Sequence, residues 1–296
     1  MKPPGRLLTA MVTPFDEKGA VNYEQAKKLA LALLDSGSDG VVVAATTGES
    51  PTLSWEEEMR LFTEIKAAVG QRGDIIAYTG SNSTAEAVEN TEKAEKTGVD
   101  GCLSVVPYYN KPTQEGIYRH FKAIAESTSL PVIMYNIPGR VVVNMTPETM
   151  ARLSRIKNII GVKEACGDMG HVAKTLQQAD SDFYIWSGND NDTFNIMALG
   201  GYGTIGVATH LVGKQIKQMM DGILEGKLAE AAAIHRRLLP LVDTLFIEPN
   251  PAPLKYALNQ IGFKVGKPRL PLVEVGAKSA ETIKATLANY TIDLKV

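Results

Sequence analysis

A short β-branched run, a loop and a longer amphipathic segment follow one another eight times between residues 7 and 224. That rhythm constrains the fold more than any other feature of the chain. The runs are Leu7–Val12, Gly40–Ala44, Ile75–Thr79, Cys102–Val106, Val132–Tyr135, Ile159–Lys163, Phe183–Ser187 and Thr204–Val207. Most lack polar alternation, as strands of a parallel sheet buried on both faces do. Helical segments are expected over Tyr23–Ser36, Trp55–Val69, Ala85–Thr97, Gly116–Ser127, Pro147–Ser154, His171–Gln178, Asp192–Leu199 and Lys214–Leu224. Ser54-x-x-Glu57 and Ser83-x-x-Glu86 read as capping boxes, and Pro147 suits the first helical position behind Thr146. Gly37, Gly70 and Gly98 suit helix stops. Eight such repeats have the dimensions of a (β/α)8 TIM barrel, with a doubly wound open sheet as the alternative.

After Gly226 the strands stop. Leu228–Phe246, Ala252–Ile261 and Ala277–Ala288 read as helices alone. The expected organisation is an α/β barrel over residues 1–225 and a C-terminal helical extension over 226–296, packed on it rather than functioning separately. Within 296 residues, 31 basic side chains face 33 acidic ones, for a net charge of −2. That balance offers no concentrated basic field for nucleic acid or an anionic membrane. No apolar stretch is long enough to span a bilayer, and the Leu7–Val12 run is too short for a signal-peptide core. Two cysteines, Cys102 and Cys166, make neither a disulfide scaffold nor a four-cysteine zinc site, which fits a reducing cytoplasm.

Two sequence signals point elsewhere and fail on context. Gly201-Tyr202-Gly203-Thr204-Ile205-Gly206 matches a dinucleotide fingerprint, but it follows a helix and opens a strand, the reverse of what that motif needs. His120, His171, His210 and His235 show no metal-ligand spacing, so no metal is expected. No serine sits in a G-x-S-x-G elbow.

In such barrels the chemistry gathers where strands end. Lys163 closes the apolar run Ile159-Ile160-Gly161-Val162, where desolvation disfavours its charge and lowers its pKa. An unperturbed lysine, near ~10.4, is a poor nucleophile at neutral pH; one brought toward roughly 7–8 offers a free amine. Alone, it reads equally well as a lysine snorkelling to solvent or paired with Glu164. Tyr135 ends the neighbouring strand and is placed to shuttle protons, or simply to be a buried, hydrogen-bonded phenol. Thr46 and Thr47 offer hydroxyls and backbone N–H groups to a carboxylate, or ordinary turn chemistry. Arg140 offers a planar fork for a second carboxylate, or a solvated loop charge. Together, an amine, a phenol, a hydroxyl pair and a guanidinium at one barrel mouth suggest Schiff-base chemistry on an acidic substrate.

Six segments then carry a family resemblance: Thr9-Ala10-Met11-Val12-Thr13-Pro14-Phe15, Thr46-Thr47-Gly48-Glu49-Ser50, Pro107-Tyr108-Tyr109-Asn110-Lys111-Pro112, Tyr135-Asn136-Ile137-Pro138-Gly139-Arg140, Val162-Lys163-Glu164 and Glu248-Pro249-Asn250-Pro251. In order and spacing, over nearly the whole chain, they resemble the dihydrodipicolinate synthase family, within the N-acetylneuraminate lyase superfamily. The resemblance implies a lyase of the diaminopimelate route to lysine that condenses pyruvate with L-aspartate 4-semialdehyde. It implies that Lys163 forms the imine, Thr46 and Thr47 hold the pyruvate carboxylate, and Tyr135 shuttles protons through Thr47 to Tyr109. Tyr109 is lent by a neighbouring subunit, in a homotetramer built from two dimers. Arg140 binds the semialdehyde carboxylate, while Gly188 and Ile205 line the pocket through their backbone. No metal or organic cofactor is implied. Ser50, Trp55, Glu58, Asn82, Glu86 and Tyr108 match positions of the family's lysine feedback site, with Trp55 and Glu58 standing where histidines often occur. Sugar-acid lyases of the superfamily typically carry Ser-Thr before Gly-Glu and lack an arginine like Arg140. They remain the enzymatic alternative, beside a non-catalytic ligand-binding barrel.

Overall fold

The computed structural model describes residues 2–296. Its strands are β1 (Leu7–Ala10), β2 (Gly40–Val43), β3 (Asp74–Tyr78), β4 (Gly101–Val105), β5 (Val132–Asn136), β6 (Ile159–Glu164), β7 (Tyr184–Ser187) and β8 (Gly203–Gly206). Every neighbouring pair is parallel, and β1 pairs with both β2 and β8, so the sheet closes into a barrel. The Leu7↔Thr204 and Leu8↔Ile205 register is the closing seam that rules out an open sheet. Strand residues are buried almost throughout. Consecutive ones take opposite sides: Leu7, Val41 and Val43 join one apolar cluster, Leu8, Ala10 and Val42 the other. A strand in contact on both faces has no place for polar alternation, which is why these runs read as continuously apolar.

The helices lie where the periodicity puts them, with ends shifted by a residue or two at most boundaries. Three local departures have physical causes. The Ser54–Glu57 capping box forms in full, but at Ser83 only half does. Ser83 accepts the Glu86 N–H, while the Glu86 carboxylate is taken by the Ser81 hydroxyl at 2.7 Å. The helix expected from Lys214 begins at Thr209 and breaks its geometry at Val212 (φ −131°, ψ 38°). The residues just before it are tied down by the Asp190 carboxylate, which accepts the N–H groups of Val207 and Ala208. A single helical turn, Pro138–Val141, also follows β5 and carries Arg140.

Helices Leu228–Leu245, Ala252–Gln260 and Ala277–Leu287 follow the barrel. Leu241, Leu245, Leu254 and Leu258 are fully or almost fully buried in the cluster that holds Leu29 and Leu211. At about 1.5–3 kcal/mol for each buried leucine, that contact is enough to fix the extension against the barrel. It places Asn250 and Lys255 at the barrel mouth, where the first bonds Thr47 and the second pairs with Glu49. Among the described residues no helix is long and apolar enough to cross a membrane.

Candidate active site

Side chains alternate along a strand, so Lys163 and Glu164 at the end of β6 leave it on opposite faces. Tyr135 is the register partner of Lys163 on β5. This pairing brings the Lys163 ammonium over the Tyr135 ring, 4.3 Å from its centroid. The lysine is 4% exposed. Burial lowers its pKa to about 8; the Asp190 carboxylate opposes that shift and the Arg140 guanidinium adds to it. No carboxylate contacts the Lys163 amine: the nearby Glu164 accepts instead from Asn136 Nδ2 at 2.9 and 3.0 Å and from the Cys166 N–H. The plain reading of a Lys163–Glu164 pair therefore does not hold.

Burial pushes the Tyr135 phenol up to about 12, opposed by the Arg140 guanidinium and by a hydrogen bond with Thr46. A phenol in that state keeps its proton and donates it at need. The two threonines divide their tasks. Thr46 is the hydroxyl at the phenol, whereas the Thr47 hydroxyl accepts Asn250 Nδ2 at 2.9 Å. Thr46, rather than Thr47, therefore neighbours the Tyr135 phenol. The turn that carries them is flanked by Ala44 (φ 56°) and Glu49 (φ 61°), both in the left-handed region.

Gly188 is packed against the lysine. A Cβ there would stand 3.1 Å from Lys163 Cγ and 2.9 Å from Ala165 Cβ, so only glycine lets β7 pass this close. Ile205 lies fully buried on β8. Tyr109 stands apart from this group: it is 88% exposed and in the left-handed region (φ 72°). Arg140 is exposed. It borders a cleft of about 190 Å³ with Thr46, Ser50, Tyr78 and Tyr108.

That cleft runs toward the other group of expected residues. Ser50 donates to Glu58 at 2.7 Å. Burial raises the Glu58 carboxyl to about 8, with Glu57 and Glu86 adding to the shift and the Ser50 hydrogen bond opposing it. Glu58 is thus held largely protonated at neutral pH. The indole N–H of Trp55 is buried without a partner. The Asn82 carbonyl accepts Asn110 Nδ2 at 2.9 Å, joining it to the loop that carries Tyr108 and Tyr109.

Three further residues, not singled out from the sequence, meet this site. Asp190 faces Lys163 and anchors the loop after β8. Asn250 fixes Thr47 from 203 residues away. Tyr78 lines the cleft. Of these, only Asn250 carried a signal, as part of the Glu248–Pro251 segment.

Comparison with known proteins shows the family and the fold. A model of the dihydrodipicolinate synthetase family matches residues 3–290. The chain is 60% identical to a 4-hydroxy-tetrahydrodipicolinate synthase of Dehalococcoides mccartyi over 296 residues, covering 100% of both chains. It superposes on a dihydrodipicolinate synthase of Bacillus anthracis with a TM-score of 0.96 at 41% identity, over 98% of this chain and 99% of that one. For the Cyanidioschyzon merolae enzyme, solved with lysine bound, the TM-score is 0.94 at 44% identity, over 96% and 97%.

Proposed function

This chain belongs to the dihydrodipicolinate synthetase family, and on that premise we propose how its residues carry the reaction. The protein is a lyase that condenses pyruvate with L-aspartate 4-semialdehyde in the diaminopimelate route of lysine biosynthesis. Relatives named for this synthesis, rather than for sugar-acid cleavage, decide between the two enzymatic readings. The observation that carries the mechanism is Lys163: buried, without a carboxylate in contact, and laid over the Tyr135 ring.

In this reading the neutral Lys163 amine attacks the pyruvate ketone. Water leaves and an imine forms, with Tyr135 moving the protons. The Thr46–Thr47 turn holds the pyruvate carboxylate beside the imine. Loss of a methyl proton gives the enamine, whose carbon attacks the semialdehyde carbonyl while Arg140 binds that substrate's carboxylate. The substrate's own amine then displaces Lys163, closing the ring and freeing the enzyme. No external cofactor enters any step. Gly188 and Ile205 serve as backbone lining.

Tyr109 is so exposed in one chain that it serves this mechanism only if it enters a neighbour's site. We therefore read the working unit as a homotetramer of two dimers in the cytoplasm. The barrel, residues 1–225, holds the chemistry, and residues 226–296 brace its mouth through Asn250 and Lys255. Ser50, Trp55, Glu58, Asn82, Glu86 and Tyr108 form the proposed lysine feedback site.

Borohydride trapping tests the core of this reading. Incubation with pyruvate, reduction, digestion and mass spectrometry should place a reduced pyruvyl adduct on Lys163. An adduct on another lysine, or none, would overturn it.

A further inference from the structure

The far side of β6 carries a second cluster. Glu164, leaving the strand opposite Lys163, meets Cys166 in the following loop and His171 in the first turn of the helix Met169–Gln178. One ligand-type atom from each lies within 4.8 Å of the other two. His171 Nε2 stands 3.5 Å from Glu164 Oε2. The imidazole is only 9% exposed, and its Nε2 makes no hydrogen bond. A buried ring nitrogen at ion-pair distance from a carboxylate, yet in no hydrogen bond among the described residues, is the feature that calls for a third party.

The spacing identifies that party. An ion bonded at about 2.0–2.2 Å to a nitrogen and an oxygen, at a tetrahedral angle, holds those atoms about 3.4 Å apart. His171 and Glu164 are already there. We propose that Glu164, Cys166 and His171 form a binding site for a borderline-soft divalent ion of the zinc class, with water in the fourth position. The donor set of one sulfur, one nitrogen and one oxygen favours that class over magnesium or calcium, which take oxygen ligands. A thiolate and a carboxylate cancel the ion's two charges, so the bound site is neutral, as suits the buried Glu164 beside the half-buried Cys166. The supports are in place. Asp168 caps the helix by accepting the Gly170 and His171 N–H groups, which fixes the ring's origin. The Asp168 N–H points at the Cys166 sulfur at 3.5 Å.

Without an ion, burial and the Glu164 charge push the Cys166 thiol up to about 12. Binding reverses that balance, and the thiol proton leaves to solvent. The site also touches the catalytic strands from behind. Glu164 follows Lys163, and Asn136, which bonds Glu164, follows Tyr135. An ion drawing on Glu164 acts on the segment that holds both.

The test is titration of the chelator-stripped full chain with Co²⁺. The expected result is one ion per chain, with tetrahedral ligand-field bands, sulfur-to-cobalt charge-transfer absorption, and displacement by Zn²⁺. Cys166→Ser abolishes the charge-transfer band, and His171→Ala weakens binding by roughly tenfold or more. Cys102→Ser, which alters a thiol buried elsewhere in the sheet, leaves the band in place. A wild type without the band, or a band that survives Cys166→Ser, would overturn the proposal. Pyruvate trapping on Lys163 in the same variants reports on the catalytic reading separately, so failure of one is distinguishable from failure of the other.

Discussion

The barrel mouth holds two buried lysines, and they are built in opposite ways. Lys163 is 4% exposed and Lys255 1%. Burial lowers both to about 8. Their surroundings then diverge. Lys255 lies 2.5 Å from the Glu49 carboxylate, 4.0 Å above the centre of the Phe15 ring and 3.3 Å from the Lys267 carbonyl. Every direction its ammonium takes is already filled. Lys163 has an aromatic face and a carboxylate, Asp190, that acts on it without touching it. Desolvation is shared, so desolvation does not make a nucleophile. What distinguishes Lys163 is that nothing holds its proton or its lone pair, and a ketone can approach.

The largest expected effect breaks the comparison at its reactive half. Lys163→Ala should lower kcat by on the order of 10⁴-fold or more, about 5.5 kcal/mol of barrel-mouth chemistry, and abolish borohydride trapping. Its melting temperature should change little, because the substitution removes a desolvated amine, and Asp190, which loses a facing cation, keeps its hydrogen bonds from Val207 and Ala208. A protein that keeps turnover after this change would assign the imine to another residue.

Next comes the clamped half. Lys255→Met leaves Glu49 buried without its cation, and should cost about 3–5 kcal/mol in denaturant unfolding. Adding Glu49→Gln should restore much of that loss, since the neutral amide still accepts the Arg269 N–H that Glu49 now takes at 2.8 Å. Trapping on Lys163 should persist in whatever fraction stays folded. If Lys255→Met instead erased the adduct at unchanged stability, the two lysines would be chemically coupled and the contrast drawn between them would fall.

How much of this was written in the chain follows the same division. Lys163 and Tyr135 were legible because each ends an apolar run, and the barrel's parallel order puts consecutive strand ends side by side. The β1–β8 closure was implied by eight repeats rather than by any residue at the seam. Glu49–Lys255 and Thr47–Asn250 were not legible, since each joins residues more than two hundred positions apart through the packing of the C-terminal helices. The different surroundings of Thr46 and Thr47 were hidden as well. Left-handed backbone at Ala44 and Glu49, both non-glycine, flanks them, and composition gives no warning of it. The break at Val212 belongs with these. It lies just beyond the Val207 and Ala208 N–H groups that Asp190 holds, a contact with no sequence periodicity.

The smallest expected effect sharpens the comparison through pH. A lysine reacts as the free amine, and with a pKa of about 8 roughly a tenth of Lys163 is neutral at pH 7 and roughly nine-tenths at pH 9. The rate of adduct formation at subsaturating pyruvate should therefore rise about tenfold over that interval and then level off. An unperturbed lysine would keep rising past pH 10. The same shift has a sign in stability. Below pH 8 the amine is charged in the folded and unfolded chain alike, and its burial cost is felt in full. Above pH 8 the folded chain gives up the proton while the unfolded chain retains it until about 10.5. The unfolded state then binds more protons, so this group's contribution makes stability rise with pH across that window. Lys163→Ala should flatten that part of the slope. A trapping rate that fails to level off near pH 9 would mean that Lys163 is held charged well above pH 8, and that the open side of its pocket is not what makes it reactive.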